Sequence, residues 1–423
     1  MALNKIKQCF LHIGSSKTGT SSIQSELFRN RRHLRRVGYF YPNNAANHIF
    51  LATRFREDPT EIAFHRKNGR ETKELISNYI EQEMSQFEND LNNFKGDSLI
   101  ISSEYLPPTS ADSCKELAEY LHRFCEKVTV ICYLRHPLSH AISAAQQSVK
   151  MGFSTIESVQ KAAFFFKPQK ILPKFIEAFG RANIIVRPFD KKQMVNNDVV
   201  MDFLSLIGLS DDEILGKQKK GKSNSSLSYE ATLIADALTK ELPRTIDGIW
   251  NLKRAKRVNL MKIPGSKFNL SKAAIERTRE AAKPEMEYLL TEFGIQLEEP
   301  QEAIMNEPQA NWDDKTIKGL ARKFNSIALE AQHMEALAFF YRGKNAELLG
   351  DKELAIMMFR KAVNLKPQEW EIVEGLYILL SETGSLTEAK EHLARYTHLF
   401  PQDARVKALE KGQEALHRQS IAS

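Results

Sequence analysis

The order of apolar runs predicts an α/β fold with a P-loop-like parallel sheet flanked by helices, followed by an all-α region of helical hairpins. Three observations carry this expectation. Short β-branched runs alternate with amphipathic helical stretches, the pattern of βαβ units. The first run leads through a small-residue loop directly into a helix. From about residue 315 the strand signals stop and a 34-residue repeat takes over. The expected division is an α/β domain over 1–312 and a helical domain over 313–423.

The elements follow in order. Phe10-Leu11-His12-Ile13 is a short apolar strand that ends at Gly14, and a helix is expected over about 21–36. Residues 71–94 form a long, charged amphipathic helix, and Ser98-Leu99-Ile100-Ile101-Ser102 a strand. A helix over 113–126 precedes the continuous apolar run 128–134, whose lack of alternation marks a buried parallel strand. A helix near 170–180, a strand over 182–186 and a helix over 198–207 ending at Gly208 complete the pattern.

The loop after the first strand reads Gly14-Ser15-Ser16-Lys17-Thr18-Gly19-Thr20-Ser21. Loop N–H groups and the positive end of the following helix converge on an anion in such an arrangement. Gly14 and Gly19 have the spacing of the nucleoside-triphosphatase P-loop, and Ser21 stands where its Mg²⁺-binding hydroxyl belongs. Thr20, however, occupies the lysine position, and the lysine has moved inside the loop to Lys17. No hydrophobic strand ending in Asp is evident to hold Mg²⁺ there. Both points weigh against a P-loop kinase or NTPase. The run 128–134 ends in Arg135-His136-Pro137, with Ser143 eight residues after Arg135 on the following helix. Pro137 suits a first helical turn, and Arg135 stands at a strand's C-terminal end, where open α/β sheets bind ligands.

The order Gly14-x-x-Lys17-Thr18-Gly19-Thr20-Ser21-Ser22 resembles the 5′-phosphosulfate loop of sulfotransferases that use 3′-phosphoadenosine-5′-phosphosulfate (PAPS), and its wording is similar to the bacterial, carbohydrate-type branch. The strand–Arg135–x–Pro137–helix–Ser143 pattern resembles that family's 3′-phosphate motif, and the Ile-Val-Arg187-Pro188-Phe189-Asp190 stretch is also similar. The resemblance implies a sulfotransferase fold and PAPS as co-substrate. It implies that residues 14–21 hold the 5′-phosphate, that Lys17 contacts the bridging oxygen, and that Arg135 and Ser143 clamp the 3′-phosphate. It implies no metal. The reaction it implies is sulfuryl transfer to a hydroxyl or amine of a carbohydrate or glycolipid acceptor. The candidates for a general base are Glu104, first on position just past a strand end, and His48, second on chemistry; a capping or ion-paired carboxylate and a packed loop histidine are the alternatives. His12 is expected to be structural or near the nucleotide. His136 and His140 are expected to orient the 3′-phosphate motif. Lys220, Gly221 and Lys222, in the basic loop 216–226, could cover the 3′-phosphate or form a solvated linker. Phe153, Phe164, Phe165 and Phe166 could line an acceptor pocket, although core packing suits their type better.

The chain has 423 residues, 42% hydrophobic and 27% charged, with net charge +7. That balance fits a soluble protein that holds a polyanionic nucleotide. No basic tail, zinc finger or RNA-binding motif supports nucleic acid as a partner. No apolar run approaches a bilayer span, and no signal-peptide core is evident, so a cytoplasmic location is expected. Cys9, Cys114, Cys125 and Cys132 match no metal or redox spacing and are expected to be reduced packing residues. In the C-terminal region Gly350, Ala355 and Pro367 recur as Gly384, Ala389 and Pro401, with Phe359 matching Leu393 and Ala362 matching Tyr396. This resembles the tetratricopeptide (TPR) repeat, although Tyr396 departs from the small residue expected there; the resemblance implies a docking surface for a protein partner or a long acceptor, and a helical extension that stabilises the enzyme or its self-association is the equal alternative. A non-catalytic nucleotide-binding scaffold with such repeats is a third functional class.

Overall fold

The computed structural model describes residues 5–42, 45–62, 64, 65, 70, 72–162, 164–210, 226–246, 249–251, 260–300 and 309–409. They fall into two compact units, Met1–Trp312 and Asp313–Ser423, each described by itself. The basic loop with Lys220, Gly221 and Lys222 lies outside the described residues. No helix among them is long and apolar enough to cross a membrane.

The first unit is built on five parallel strands: β1 (Ile6–Gly14), β2 (Tyr39–Phe40), β3 (Ser98–Ser102), β4 (Cys125–Leu134) and β5 (Ile184–Pro188). Their order is β2-β3-β1-β4-β5, so β1 is central. Helices connect them, α1 (Thr20–Arg29), α2 (Arg31–Arg36), α3 (Ile49–Arg54), α4 (Lys73–Asn92), α5 (Ala111–Phe124), α6 (Pro137–Lys150), α7 (Ile156–Lys161) and α8 (Pro168–Phe179), and α9 (Val199–Leu206), α10 (Tyr229–Glu241) and α11 (Lys272–Phe293) follow β5. A short antiparallel pair, Thr245–Ile246 with Ile249–Trp250, follows α10.

Strand periodicity sorts the core into two layers. Cys9, Leu11 and Ile13 of β1, Leu99 and Ile101 of β3, and Val128, Val130, Cys132 and Leu134 of β4 face one cluster, with residues of α4, α5 and α8. Ile100, Ile131 and Tyr133 face the other, with residues of α1 and α9. All four cysteines are buried and unbridged. The expected helix over 21–36 is two helices. Asn30 separates them, and its side-chain amide donates back to the Glu26 carbonyl at 3.0 Å and to Glu26 Oε1 at 2.8 Å. The strand expected at 128 starts three residues earlier, at Cys125, because exposed Glu126 and Lys127 hide its start in a polar pattern.

The second unit is helical: α12 (Asp314–Leu348), α13 (Lys352–Leu365), α14 (Trp370–Glu382) and α15 (Leu386–Leu399). The sequence period survives in space. Helix α13 spans 352–365 and α15 spans 386–399, so both bounds move by 34 residues. Gly350 and Gly384 both adopt positive φ after a helix, where a side chain would be strained. Phe359 is the centre of this core. A Cβ on Gly343 of α12 would lie 2.8 Å from its ring, and one on Gly375 of α14 would lie 3.7 Å away. Gly343 thus lets α12 close on the ring, whereas at Gly375 a Cβ would make only ordinary contact.

Phe359→Ala should therefore cost the helical unit about 3–5 kcal/mol through the cavity left behind. Gly343→Ala should cost about 1–3 kcal/mol through overpacking. Denaturant unfolding of the full chain, followed by its helix signal, would check both. Variants that unfold with the parent would contradict this packing account.

Candidate functional site

Three segments meet at the C-terminal edge of the sheet around its central strand: the loop after β1, the end of β3 and the end of β4. Ladder-like bonds extend past the strands and hold them together. The Ser15 N–H donates to the Tyr133 carbonyl at 2.9 Å, and the Ser103 N–H donates to the His12 carbonyl at 2.8 Å. Gly14, Lys17 and Gly19 all have positive φ. At Gly19 there is no room for a side chain, since a Cβ would lie 2.7 Å from Val199 Cγ1.

The loop hydroxyls point inward. Ser15 Oγ donates to the Tyr133 carbonyl at 3.0 Å. Thr18 and Thr20 donate to the Ser15 carbonyl at 2.5 and 3.1 Å. The backbone N–H groups of Lys17, Gly19, Thr20 and Ser21 make no hydrogen bond to another described residue. They stand at the start of α1, where partial positive charge gathers. Ser16 Oγ lies 3.2 Å from Nε2 of His140.

Lys17 and Arg135 are half-buried cations without a carboxylate partner among the described residues. Burial, then nearby Arg135, then Lys150 push the Lys17 ammonium down from its ordinary value. Burial also lowers Arg135, whose guanidinium carbon lies 6.0 Å from the Phe189 ring centre. Unpaired cations in a half-buried site are costly until an anion arrives. Ser143 lies on α6, three residues beyond His140 and so on the same helical face, with its hydroxyl unpartnered among the described residues.

Glu104 lies just past β3, on the other side of the loop. A Cβ on Gly14 would lie 3.3 Å from its own Cβ. The Gln24 side-chain amide donates to Glu104 Oε2 at 2.7 Å. Gln24 is a partner to which the sequence reading assigned no role. Its place one turn into the loop's own helix was the available clue.

His48 is fully buried. Its Nδ1 accepts the Ser102 N–H at 2.9 Å, and its ring packs 4.5 Å from Tyr41. Burial lowers its pKa to about 3. His12 is also fully buried, with Nδ1 2.8 Å from Ser102 Oγ and a pKa lowered by burial to about 3. Burial, then Arg135, lowers His140 to about 4. His136 caps α6 by accepting the Leu138 N–H at 3.2 Å.

The four phenylalanines divide. Phe165 is buried and Phe166 packs partly buried against the core, whereas Phe153 and Phe164 are 56% and 68% exposed, against the core role their type suggests. The Phe164 ring lies 6.0 Å from that of His140. Among the described residues, no group of three or more His, Cys, Asp or Glu could hold a metal ion.

No protein-family model matches the chain. An uncharacterized protein of Archaeoglobus fulgidus is 29% identical over 154 residues, which are 36% of this chain and 42% of that protein. The chain thus spans less than half the length of this relative. Among solved structures, a sulfotransferase from Alicyclobacillus acidocaldarius is 16% identical, with 54% of this chain and 91% of that one covered at a TM-score of 0.29. At these values the reading of the site rests on its own residues.

The buried histidines set an acid limit. They are neutral in the native state, but the unfolded chain binds their protons below about pH 6.5. Stability is therefore full above pH 6.5 and falls as the pH drops toward 3, by ~1.4 kcal/mol per pH unit for each histidine. His48→Gln, which keeps an acceptor for Ser102, should flatten this slope whatever it does to the stability at neutral pH. An unchanged slope in melting temperature against pH would remove His48 from the account.

Proposed function

We propose that this protein is a sulfotransferase that moves the sulfuryl group of PAPS to a hydroxyl or amine of a carbohydrate or glycolipid acceptor. The observation that carries the reading is the pair of uncompensated cations, Lys17 in the loop and Arg135 at the end of β4, beside the open N-terminus of α1. Two anionic groups on one ligand suit that pair. A 5′-phosphosulfate fits the unpaired N–H groups of Lys17, Gly19, Thr20 and Ser21. A 3′-phosphate fits the planar fork of Arg135 with the hydroxyl of Ser143.

In the proposed reaction the acceptor oxygen or nitrogen forms a bond to sulfur as the bond from sulfur to the bridging oxygen breaks. The electron pair of that bond leaves with adenosine 3′,5′-bisphosphate, and the Lys17 ammonium steadies the developing charge. The acceptor proton passes to Glu104, whose carboxylate Gln24 orients. Glu104 is preferred to His48, because His48 has no exposed surface and its Nδ1 already serves the Ser102 N–H. In the helical unit the 34-residue period, with Ala355 and Ala389 both buried, supports a TPR-like pair that docks a partner or a long acceptor.

A thermal-shift titration tests the nucleotide. Adenosine 3′,5′-bisphosphate should raise the melting temperature without metal, and ADP should not. A shift that needs ADP with Mg²⁺ would replace this reading with a kinase or NTPase.

Two substitutions separate the roles. Lys17→Ala should slow bisphosphate release from PAPS by roughly 10²–10³-fold and change bisphosphate binding little. Arg135→Ala should remove the preference for the 3′,5′-bisphosphate over AMP, a loss of roughly ten- to a hundredfold. Equal effects of Lys17→Ala on release and binding, or a preference that survives Arg135→Ala, would contradict the assignments.

A further inference from the structure

Helix α12 runs for 35 residues, about 52 Å, and the hairpin beside it uses only part of that length. Helix α13 has 14 residues, and the Gln332 amide of α12 already reaches the carbonyl of Leu365 at its far end, at 2.8 Å. Among the described residues, the core of this unit takes nothing from α12 before Ala336. Ala336, Gly343 and Ala346 mark the packed side of the helix.

The opposite side carries a second apolar stripe. Ile317, Phe324, Ile327, Met334 and Tyr341 are all exposed. With Leu320, Ala331 and Ala338 they follow steps of three and four without a break from 317 to 341. That is a heptad seam, the pattern by which one helix packs along another. A stripe so narrow fits a single helix and not a broad surface.

The charges beside the seam say which helix. Lys323 and Glu330 flank it on one edge, Glu335 and Arg342 on the other. None of the four has a partner among the described residues. Lys323 and Glu330 stand seven residues apart, about 10 Å along the axis, and are too distant to pair within one helix. Two copies set antiparallel, with the symmetry axis between Asn325 and Ser326, bring Lys323 of each against Glu330 of the other. The seam then closes in apolar layers: Phe324 against Ile327, Leu320 against Ala331 and Ile317 against Met334. Asp314, which falls opposite Glu335, is already paired with Lys318 at 3.2 Å.

Other registers are worse. A parallel pair would oppose Glu330 to Glu335, and a full antiparallel overlap would oppose Lys323 to Lys344. The register that matches Glu335 with Arg342 would bury Asn345 against Met334. We propose that this stripe is a self-association face, on which α12 pairs antiparallel with α12 of a second copy of the chain. Nothing in this pairing depends on the sulfuryl-transfer reading.

Sedimentation equilibrium of the full chain tests it, with the helix signal as a check on folding. The parent should be a dimer at about 50 μM. Phe324→Glu should weaken association roughly a hundredfold and keep the helix signal, because Phe324 is exposed in the single chain. Lys323→Glu and Glu330→Lys should each weaken association roughly tenfold. Combining the two should restore it, since the swapped charges meet again only across the antiparallel pair. A monomeric parent, or a dimer that Phe324→Glu leaves intact, would overturn the proposal. Single charge reversals without effect, or a double variant that fails to recover, would overturn the antiparallel pairing.

Discussion

The Tyr133 carbonyl, near the end of β4, receives both the N–H and the hydroxyl of Ser15, at 2.9 and 3.0 Å. One residue thus spends two donors on one acceptor, and the loop after β1 is tied to the neighbouring strand at its first turn. The Ser15 carbonyl in turn takes the hydroxyls of Thr18 and Thr20. Together these bonds explain why the loop is written in serine and threonine. The hydroxyls satisfy the loop's own carbonyls from the inside and leave its N–H groups facing outward. Tyr133 is itself braced, since its phenol donates to Asp202 at 2.7 Å and Asp202 pairs with Arg187 at 2.5 Å. The order Ser15–Tyr133–Asp202–Arg187 runs from the loop across β4 to α9 and β5. It supplies a rigid frame for a site whose open donors would otherwise collapse onto the protein's own acceptors.

That frame carries a large electrostatic imbalance. Two cations, Lys17 and Arg135, are left without a carboxylate partner among the described residues, and Glu104, beside Gly14, is engaged by an amide instead of a charge. Asp202, which could have neutralised a cation, is committed to Arg187 and Tyr133. The fold thus keeps one ion pair as a brace and withholds counter-ions from the site. Such an arrangement lowers stability when empty and returns that energy when an anion binds.

Much of this was legible in the sequence. The four runs that became β1, β3, β4 and β5 are short, β-branched and bounded by turns or helices, so packing had little freedom to override them. β2 was not foreseen, because two residues give no period to read. On the proposed reading, the loop and Arg135 were visible because phosphate chemistry constrains the order of glycine, lysine and hydroxyl residues. Gln24 was given no role for the opposite reason. It lies on a helix where its residue type is ordinary, and only the roll of α1 turns it toward Glu104. His48 looked like a base because imidazole titrates near neutrality, yet it lies at the strand end beside Tyr41, where burial strips the ring of that property. Sequence spacing reports proximity along the chain, and desolvation is a property of the packed state.

The bond from Gln24 to Glu104 joins two parts of the site that otherwise belong to different strands. Gln24 lies one turn into α1, and that helix begins where the loop bearing Lys17 ends. The carboxylate and the ammonium are therefore referenced to the same short, stiff segment. If α1 shifts, both shift with it, and the span between them is conserved. On the proposed reaction that span works as a gauge of depth: an acceptor would have to present its reacting atom at one fixed reach between the two charges, whatever the rest of its body looks like. A surface that recognises the remainder of the acceptor can then diverge freely, because the ruler that sets the reacting position is built into a different part of the fold.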